Sequence, residues 1–504
     1  MSATTSQTSS TTKTPSPEVR SGIVGFFSKF AVLKNAQREL WLTFAIKFIC
    51  VAAYSLSNKT FVLWLSSDLG FNDQKAGAIV SWGWAPAMTI FTLLVGSLTD
   101  ALGLRKTFFL GIWICLVSRA VMVFSTVKWL VLFGGFFPLA IGEALGNPVL
   151  IAAGRKFSTT KQRSITFSFL YAFMNGGFFI AAAIFDRLRQ GLGEHGHWSL
   201  FGTQISTYRT LFFGSLILEA LLLPLAYFIR KGAEATDQGV VFTEEVEKYK
   251  GRSSWDSFWL TVRDGARDTI RLFKQLMGQS GFYRLLAFLV LIGFLKIITM
   301  QMDYVFPKFC LRELGDGAPI GHLSNINYLL IFILVPIVGA LTQRFAAYRM
   351  VIIGGIICAA SVFIMALPPA WFESAAAGIT GKWIGHGFLG LKGAVHPYYV
   401  MIAIYVAIFS FGEAFYSPRV YEYAAAIAPK GQEASYGSLS YIPLLMGKLL
   451  VGSGGWLLAA YCPEQGVRHS GTMWLIFALA VTVAPVGLLV LRPYIRVHEA
   501  GRQE

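Results

Sequence analysis

About twelve apolar stretches of roughly 20 residues recur along this chain, and they constrain its fold more than any other feature. A helix of that length crosses the ~30 Å hydrocarbon core of a bilayer. Of the 504 residues, 55% are hydrophobic and only 14% are charged, a balance that excludes a soluble globular protein. The stretches lie near residues 41–65, 76–98, 108–126, 129–153, 165–185, 210–229, 284–306, 323–345, 349–367, 398–417, 436–461 and 471–491. We therefore predict an all-α membrane protein with about twelve transmembrane helices.

The net charge of +16 is distributed unevenly between the two sides of the predicted membrane. With both termini in the cytoplasm, roughly 28 Lys and Arg lie on the inner side and about 10 on the outer side. Nucleic-acid binding would instead require the basic residues to cluster on one soluble face. The charge therefore indicates a multi-pass protein of the cell (plasma or inner) membrane with cytoplasmic termini and no nucleic-acid partner.

A charged segment after the sixth stretch divides the chain into two halves. Residues 1–20 are rich in Ser and Thr and lack the apolar core of a signal peptide, which predicts disorder. The predicted organisation is a cytoplasmic tail and lead-in (1–40), an N-terminal six-helix bundle (41–230), a cytoplasmic linker (231–283), a C-terminal six-helix bundle (284–492) and a cytoplasmic tail (493–504).

Part of the linker has the pattern of a basic amphipathic helix. Its apolar positions are Trp255, Phe258, Trp259, Val262, Ala266, Ile270, Phe273 and Met277. The opposite positions are Arg263, Arg267, Arg271 and Lys274. This pattern predicts a helix at the inner membrane interface, with docking of a partner protein as the alternative.

The two halves also repeat each other in sequence. The segment GEALGNPV at 142–149 aligns with GEAFYSPR at 412–419, and both carry Gly-Glu-Ala followed by Pro at the same offset. In the same register Tyr171 corresponds to Tyr441 in the following spans. Shared apolar composition would not align polar residues and prolines in this way. Duplicated halves with a solute site at their interface are typical of transporters.

The run GSLTDALGLRKT after the second stretch resembles the loop signature of the major facilitator superfamily, and a partial copy, GALTQRFAAYRM, follows the eighth. The residues that carry the signature are Gly96, Asp100, Gly103, Arg105 and Lys106. The resemblance implies two pseudo-symmetric six-helix bundles. It also implies that Asp100 pairs at an inner gate while Arg105 and Lys106 hold the cytoplasmic side.

Within that superfamily, the runs FVLWLSSDLGFND, FSFLYAFMNGG and FGEAFYSP resemble the proton-dependent oligopeptide transporter family. The sequence departs from that family where its Glu-x-x-Glu-Arg motif would lie, because Lys47 and Cys50 stand there and only Tyr54 remains of the motif's aromatic end. The family's Lys-Pro in span 4 is replaced by Asn147 and proline. Glu413 is retained, and the resemblance implies that it holds a substrate's amino group.

Charged side chains inside the spans are the strongest candidates for function, because each costs ~2.5–3.5 kcal/mol to insert. The predicted cavity set consists of Glu143, Glu413, Lys47, Lys296 and Lys448. The alternative is that these residues form internal ion pairs that hold helices together. Arg119 and Glu219 are also intramembrane charges but lie outside this set. Lys59 and Asp303 are expected near the outer surface and solvated.

Polar and aromatic residues near the same level could complete a binding wall. Tyr54, Tyr171 and Tyr441 can offer ring faces and hydroxyl groups, and Asn175 and Asn147 can hydrogen-bond a solute or another helix. The alternative for each is helix packing.

We find no motif of an enzyme, a metal site or a cofactor site in the sequence: the spacing of His and Cys matches no metal site, and no Walker phosphate loop is present. Cys310 and Cys462 fall at predicted outer helix ends, where a disulfide is conceivable. We therefore predict a monomeric secondary transporter that moves a small polar solute, such as a peptide-like molecule, an amino acid or a carboxylate, by alternating access with proton coupling. An uncoupled facilitator and a transporter-like sensor are the alternatives.

Overall fold

The computed structural model describes residues 33–34, 36–92, 103–159, 162–200, 202–236, 239–242, 254–342, 345–427 and 442–496. Within these ranges, eleven helices are long and apolar enough to cross a membrane. One more helix runs through residues 73–92, where that described range ends. The predicted all-α membrane fold is confirmed, and we number the helices as spans 1 to 12 in chain order.

The spans of the two halves have the following bounds. In the N-terminal half they are Arg38–Ser67, Asp73–Ala78 with Ile79–Trp84 and residues 85–92, Leu104–Phe124, Lys128–Lys156, Arg163–Leu192, and Thr207–Ala220 with Leu222–Tyr227. In the C-terminal half they are Ser280–Tyr304, Ile320–Leu341, Ala347–Phe363, Pro397–Ile427, Ile442–Leu449 with Val451–Tyr461, and Ser470–Val490.

Spans 3 and 4 pack as closely as spans 9 and 10, through the same residue types. A Cβ atom added to Gly142 would lie 2.6 Å from the Cys115 sulfur, and one added to Gly412 would lie 2.7 Å from the Cys358 sulfur. Only glycine permits such close approach of two helices. The sequence repeat is therefore also a repeat of helix packing. It places Glu143 and Glu413, each next to its glycine, at equivalent positions.

Several short elements connect the spans, begin span 4 or follow span 12, and none of them was predicted from the sequence. Two antiparallel hairpins pair His197–Leu200 with Thr203–Ser206 and Ala233–Thr236 with Gly239–Phe242. Short helices are Lys128–Leu130 and the π-helical Val131–Phe136 at the start of span 4, then Phe306–Leu314, Ile364–Ala366, Pro369–Phe372, Glu373–Ala377, Ile379–Gly381, Lys382–Phe388 and Arg492–Ile495. They carry too few residues for an apolar period to be recognised.

Helix Ser254–Met277 occupies the part of the linker with the amphipathic pattern. Its apolar side chains Trp259, Ile270 and Met277 are exposed in the isolated chain. Contact of this face with the membrane interface remains a prediction. Most of the predicted tails lies outside the described residues.

Candidate functional site

A cavity of about 730 Å³ lies between the two halves. This volume falls within the ~300–1,000 Å³ range of small-molecule sites. Its wall is mostly apolar and aromatic, with side chains from spans 1 to 8, 10 and 11. The charged side chains on the wall are Lys47, Arg119, Glu143, Glu219, Lys296, Asp303 and Glu413.

On the N-terminal wall, Arg119 of span 3 holds two carboxylates. Its Nη2 donates to Glu143 Oε1 of span 4 at 2.9 Å, and its Nη1 donates to Glu219 Oε2 of span 6 at 2.8 Å. Its Nε donates to the Ser57 hydroxyl at 3.3 Å. All three charged side chains are buried. We call Arg119, Glu143 and Glu219 the arginine triad.

On the C-terminal wall, Glu413 of span 10 has a looser environment. The Lys296 ammonium of span 7 lies 3.7 Å from Glu413 Oε1, longer than the ~2.7–2.9 Å of a strong charged hydrogen bond. Asn327 of span 8 donates to Glu413 Oε2 at 3.2 Å. The Lys296 and Glu413 side chains are 20% and 10% exposed, so a solute in the cavity can reach both.

Lys448 of span 11 lies behind the wall instead of on it. Its Nζ is 2.8 Å from the Met88 sulfur, 3.5 Å from the Tyr54 hydroxyl and 4.7 Å from the centre of the Trp84 ring. No carboxylate of a described residue lies within 4 Å of it. Lys448 thus belongs to the C-terminal half, but its contacts are with the N-terminal half.

Four other predicted residues line the cavity. Lys47 and Tyr54 lie on span 1, and Tyr171 and Asn175 lie on span 5. The Asn175 amide donates to the Tyr171 carbonyl at 2.9 Å, which leaves its side-chain oxygen for another donor. Their roles in binding remain predictions.

Some of the predicted residues cannot be placed. Tyr441, Gly96 and Asp100 lie outside the described residues. Asn147 lies in the helical part of span 4, but its side chain is not among those described.

The described part of the gate motif begins span 3. Gly103 precedes the helix with a φ of 82°, a left-handed conformation that favours glycine. The Arg105 guanidinium lies over the Phe109 and Tyr227 rings at 5.7 and 5.3 Å. Lys106 lies in the first turn of the same helix.

The halves are joined at one end of the cavity by contacts between their charged side chains. Lys59 of span 1 donates to Asp303 Oδ1 of span 7 at 2.8 Å. The expectation that Lys59 is solvated was wrong, because it is only 1% exposed. The Lys308 ammonium donates a hydrogen bond to Asp73 Oδ1, and Arg312 Nη2 donates to Asp73 Oδ2 at 2.7 Å.

A second set of contacts closes the same end. Asp186 of span 5 accepts the backbone N–H groups of Gly321 and His322 at 2.7 Å each. The Tyr304 hydroxyl of span 7 donates to the Asn58 side-chain oxygen at 2.9 Å. Separating the halves at this end must break both sets.

Sequence reasoning left Arg119 and Glu219 out of the cavity set, and it missed Asn327. Arg119 and Glu219 were already recognisable as charges inside spans, so each was a candidate to pair with another intramembrane charge such as Glu143. Asn327 gave no such signal, because a neutral amide in a span is also common in helix packing.

The possible disulfide is not formed. Cys310 and Cys462 are both buried free thiols, and the Cys462 sulfur lies 3.9 Å from Glu313 Oε1. Burial raises the pKa of the Cys462 thiol, which keeps it protonated and unreactive. Within the described ranges, no group of three or more His, Cys, Asp and Glu could hold a metal ion.

Comparison with solved structures shows which proteins share this fold. A bacterial homologue of the human drug peptide transporters PepT1 and PepT2 is 18% identical, with a TM-score of 0.62 over 91% of this chain and 98% of that one. The peptide transporter POT in complex with sulfate is 16% identical, with a TM-score of 0.65 over 93% and 98%. The nucleoside transporter NupG, in a mutant form, is 12% identical, with a TM-score of 0.63 over 90% and 100%. At these identities the likeness is one of fold.

Sequence comparison identifies the family. No curated protein matches the sequence. The family model of the Major Facilitator Superfamily matches residues 43–388, which is well over half of the chain. This protein therefore belongs to the Major Facilitator Superfamily and is a multi-pass membrane transporter, with a fold like that of the peptide transporters.

Proposed function

We propose that this protein is a secondary active transporter that moves a small polar solute by alternating access, coupled to protons. The observation that carries the proposal is the cavity between the halves, with ionisable groups on both of its walls. A solute held there touches both halves, so its affinity can depend on how they are arranged.

The loose pair on the C-terminal wall suits a solute with an amino group. Because Lys296 and Glu413 are 3.7 Å apart and partly exposed, an incoming ammonium can take the place of Lys296 beside Glu413. A carboxylate on the same solute can then bind Lys296 or Lys47. A peptide-like molecule or an amino acid carries both groups, and a carboxylate carries one. The peptide transporters among the similar structures favour the same solute class.

The aromatic and amide groups would shape the rest of the site. Tyr54, Tyr171 and Asn175 lie on the opposite wall, where they can accept or donate hydrogen bonds to a solute. We retain Tyr441 and Asn147 as predicted members of this wall.

Alternating access requires contacts that break at one end while others form at the other. Lys59 with Asp303, and Asp73 with Lys308 and Arg312, are the contacts that would open at the closed end. The opposite end would be held by the gate motif around Asp100, Arg105 and Lys106. We place both termini in the cytoplasm at the plasma or inner membrane, and we expect a monomer.

Transport by the purified full-length chain in liposomes tests this proposal. Uptake of a panel of dipeptides, amino acids, carboxylates and nucleosides is measured with and without an inward proton gradient. We expect accumulation of a solute with an amino group, dependent on the gradient. Accumulation without dependence on pH would favour an uncoupled facilitator, and no uptake of any member would contradict the proposed solute class.

A further inference from the structure

The arginine triad contains one more acidic group than basic groups. Arg119 is 0% exposed, and it donates to Glu219 at 2.8 Å and to Glu143 at 2.9 Å. With both carboxylates ionised, the triad would carry a net negative charge inside the protein. An uncompensated buried charge is costly, and the cost disappears when one carboxylate binds a proton.

The hydrogen bonds indicate which carboxylate can hold that proton. Glu143 Oε2 is buried and accepts no hydrogen bond of normal geometry from the described residues; the Asn58 side chain is its polar neighbour, and the Asn58 amide donates to the Tyr54 carbonyl. Its other oxygen already accepts from Arg119, so Oε2 is the free site of this carboxylate. Glu143 also lines the cavity, which gives a proton a route to and from the site.

The ionisable groups around the triad come from four spans. Cys50 and Tyr54 of span 1, Cys115 of span 3, Tyr304 of span 7 and Lys448 of span 11 act on its charges electrostatically. Lys47 of span 1 lies on the same wall. Lys448 differs from the others because it is a cation carried by the C-terminal half without a carboxylate of its own within 4 Å among the described residues.

We propose that the arginine triad is the proton-binding site of this transporter, with one proton exchanged between Glu143 Oε2 and water in the cavity. The O–H bond of the Glu143 carboxylic acid breaks on release, and the proton passes to that water. The positive charge of Lys448 acts electrostatically on Glu143 and stabilises the ionised form. When the halves rearrange, Lys448 moves with the C-terminal half, so the proton affinity of the triad changes with the transport state. This inference rests on the proposed coupling of transport to protons.

Infrared difference spectroscopy detects this proton without a known solute. The full-length chain in lipid nanodiscs is titrated with pH, and the carbonyl stretch of a protonated carboxylic acid is identified by its shift in D₂O. We expect a band of one carboxylic acid per chain that disappears as pH rises. The Glu143→Gln and Glu219→Gln variants should each lack this band. Either substitution leaves a single carboxylate paired with Arg119, so no excess negative charge remains to hold a proton. A band that persists in both variants overturns the proposal, as does its absence in the parent at every pH at which the protein is folded.

Glu39→Gln is the matched control. Glu39 is also buried, and Arg230 donates to its two oxygens at 2.5 and 3.0 Å, so one arginine already balances one carboxylate. The control should keep the triad's band. If Glu143→Gln is not monodisperse, Glu219→Gln alone decides.

The test separates this inference from the function on which it rests. Uptake driven by a proton gradient, together with a band unaffected by both substitutions, would refute only the site. A band that responds as expected in a protein that transports no member of the solute panel would contradict the proposed solute class and leave the proton site standing.

Discussion

Glu143 and Glu413 occupy equivalent positions in the two halves, yet their environments differ. Glu143 is held by an arginine at 2.9 Å that also holds Glu219. Glu413 lies 3.7 Å from a lysine that is partly exposed to the cavity. A buried carboxylate that is hydrogen-bonded to an arginine suits a proton site or a structural role. A carboxylate that is loosely paired and reachable from the cavity suits the binding of a charged solute.

The packing repeat shows where the two environments diverge. The corresponding cysteines, Cys115 and Cys358, each contact the glycine that precedes the glutamate. One turn later, span 3 carries Arg119, whereas span 9 carries the buried apolar Val362. Glu413 therefore lacks a neighbouring arginine on span 9, and its cation comes from span 7. The two walls thus share their glycine–cysteine packing and differ in the helix that supplies the cation.

The largest expected effect comes from removing the cation of the N-terminal wall. Arg119→Met leaves two carboxylates buried without a partner, so we expect a loss of about 3–5 kcal/mol in stability. Thermal unfolding in detergent measures it. The triple variant with Glu143→Gln and Glu219→Gln should recover most of the loss. An Arg119→Met variant as stable as the parent would show that Arg119 does not stabilise the two carboxylates.

Replacing the two glutamates separately should sharpen the contrast between binding and coupling. Glu413→Gln should weaken the affinity for a transported solute with an amino group by roughly 10–100-fold. This is the loss in affinity expected when a hydrogen bond to a charged group, worth about 1.5–3 kcal/mol, is removed. Glu143→Gln should leave that affinity nearly unchanged and abolish accumulation under a proton gradient. Binding and uptake are measured on both variants. If Glu143→Gln weakened solute binding and Glu413→Gln abolished the proton dependence, the roles given to the two glutamates would be reversed.

The glycines test whether the two halves share their backbone packing. Gly142→Ala and Gly412→Ala should each cost about 1–3 kcal/mol, because each new methyl group meets a cysteine sulfur at under 3 Å. Unfolding of the two variants should shift by similar amounts. A large shift in only one variant would contradict the equivalence of the two packing sites.

The smallest effect is expected for the cation of the C-terminal wall. Lys296→Met should cost only about 1 kcal/mol, because the Glu413 carboxylate keeps its hydrogen bond from Asn327 and its exposure to the cavity. Unfolding under the conditions used for Arg119→Met provides the direct comparison. A loss as large as that of Arg119→Met would contradict the difference between the walls.

Much of the fold follows from the sequence because the bilayer demands long apolar helices. The spans, the repeat at 142–149 and 412–419 and the proximity of both glutamates to one cavity follow from patterns visible along the chain. Burial of Lys59 does not, because a lysine at a helix end can reach water or be covered by a neighbouring helix, and only the packing of span 7 decides which.

By itself, the sequence determined the membrane fold, the two related halves and the presence of charges within the spans, since these depend on local composition and period. Tertiary structure alone decided the partners of those charges. Arg119 and Glu219 are 100 residues apart in the chain, and Lys448 meets Tyr54 from the other half. Such pairs depend on the rotation and neighbours of each helix, to within a few ångströms, and an apolar pattern does not encode that geometry.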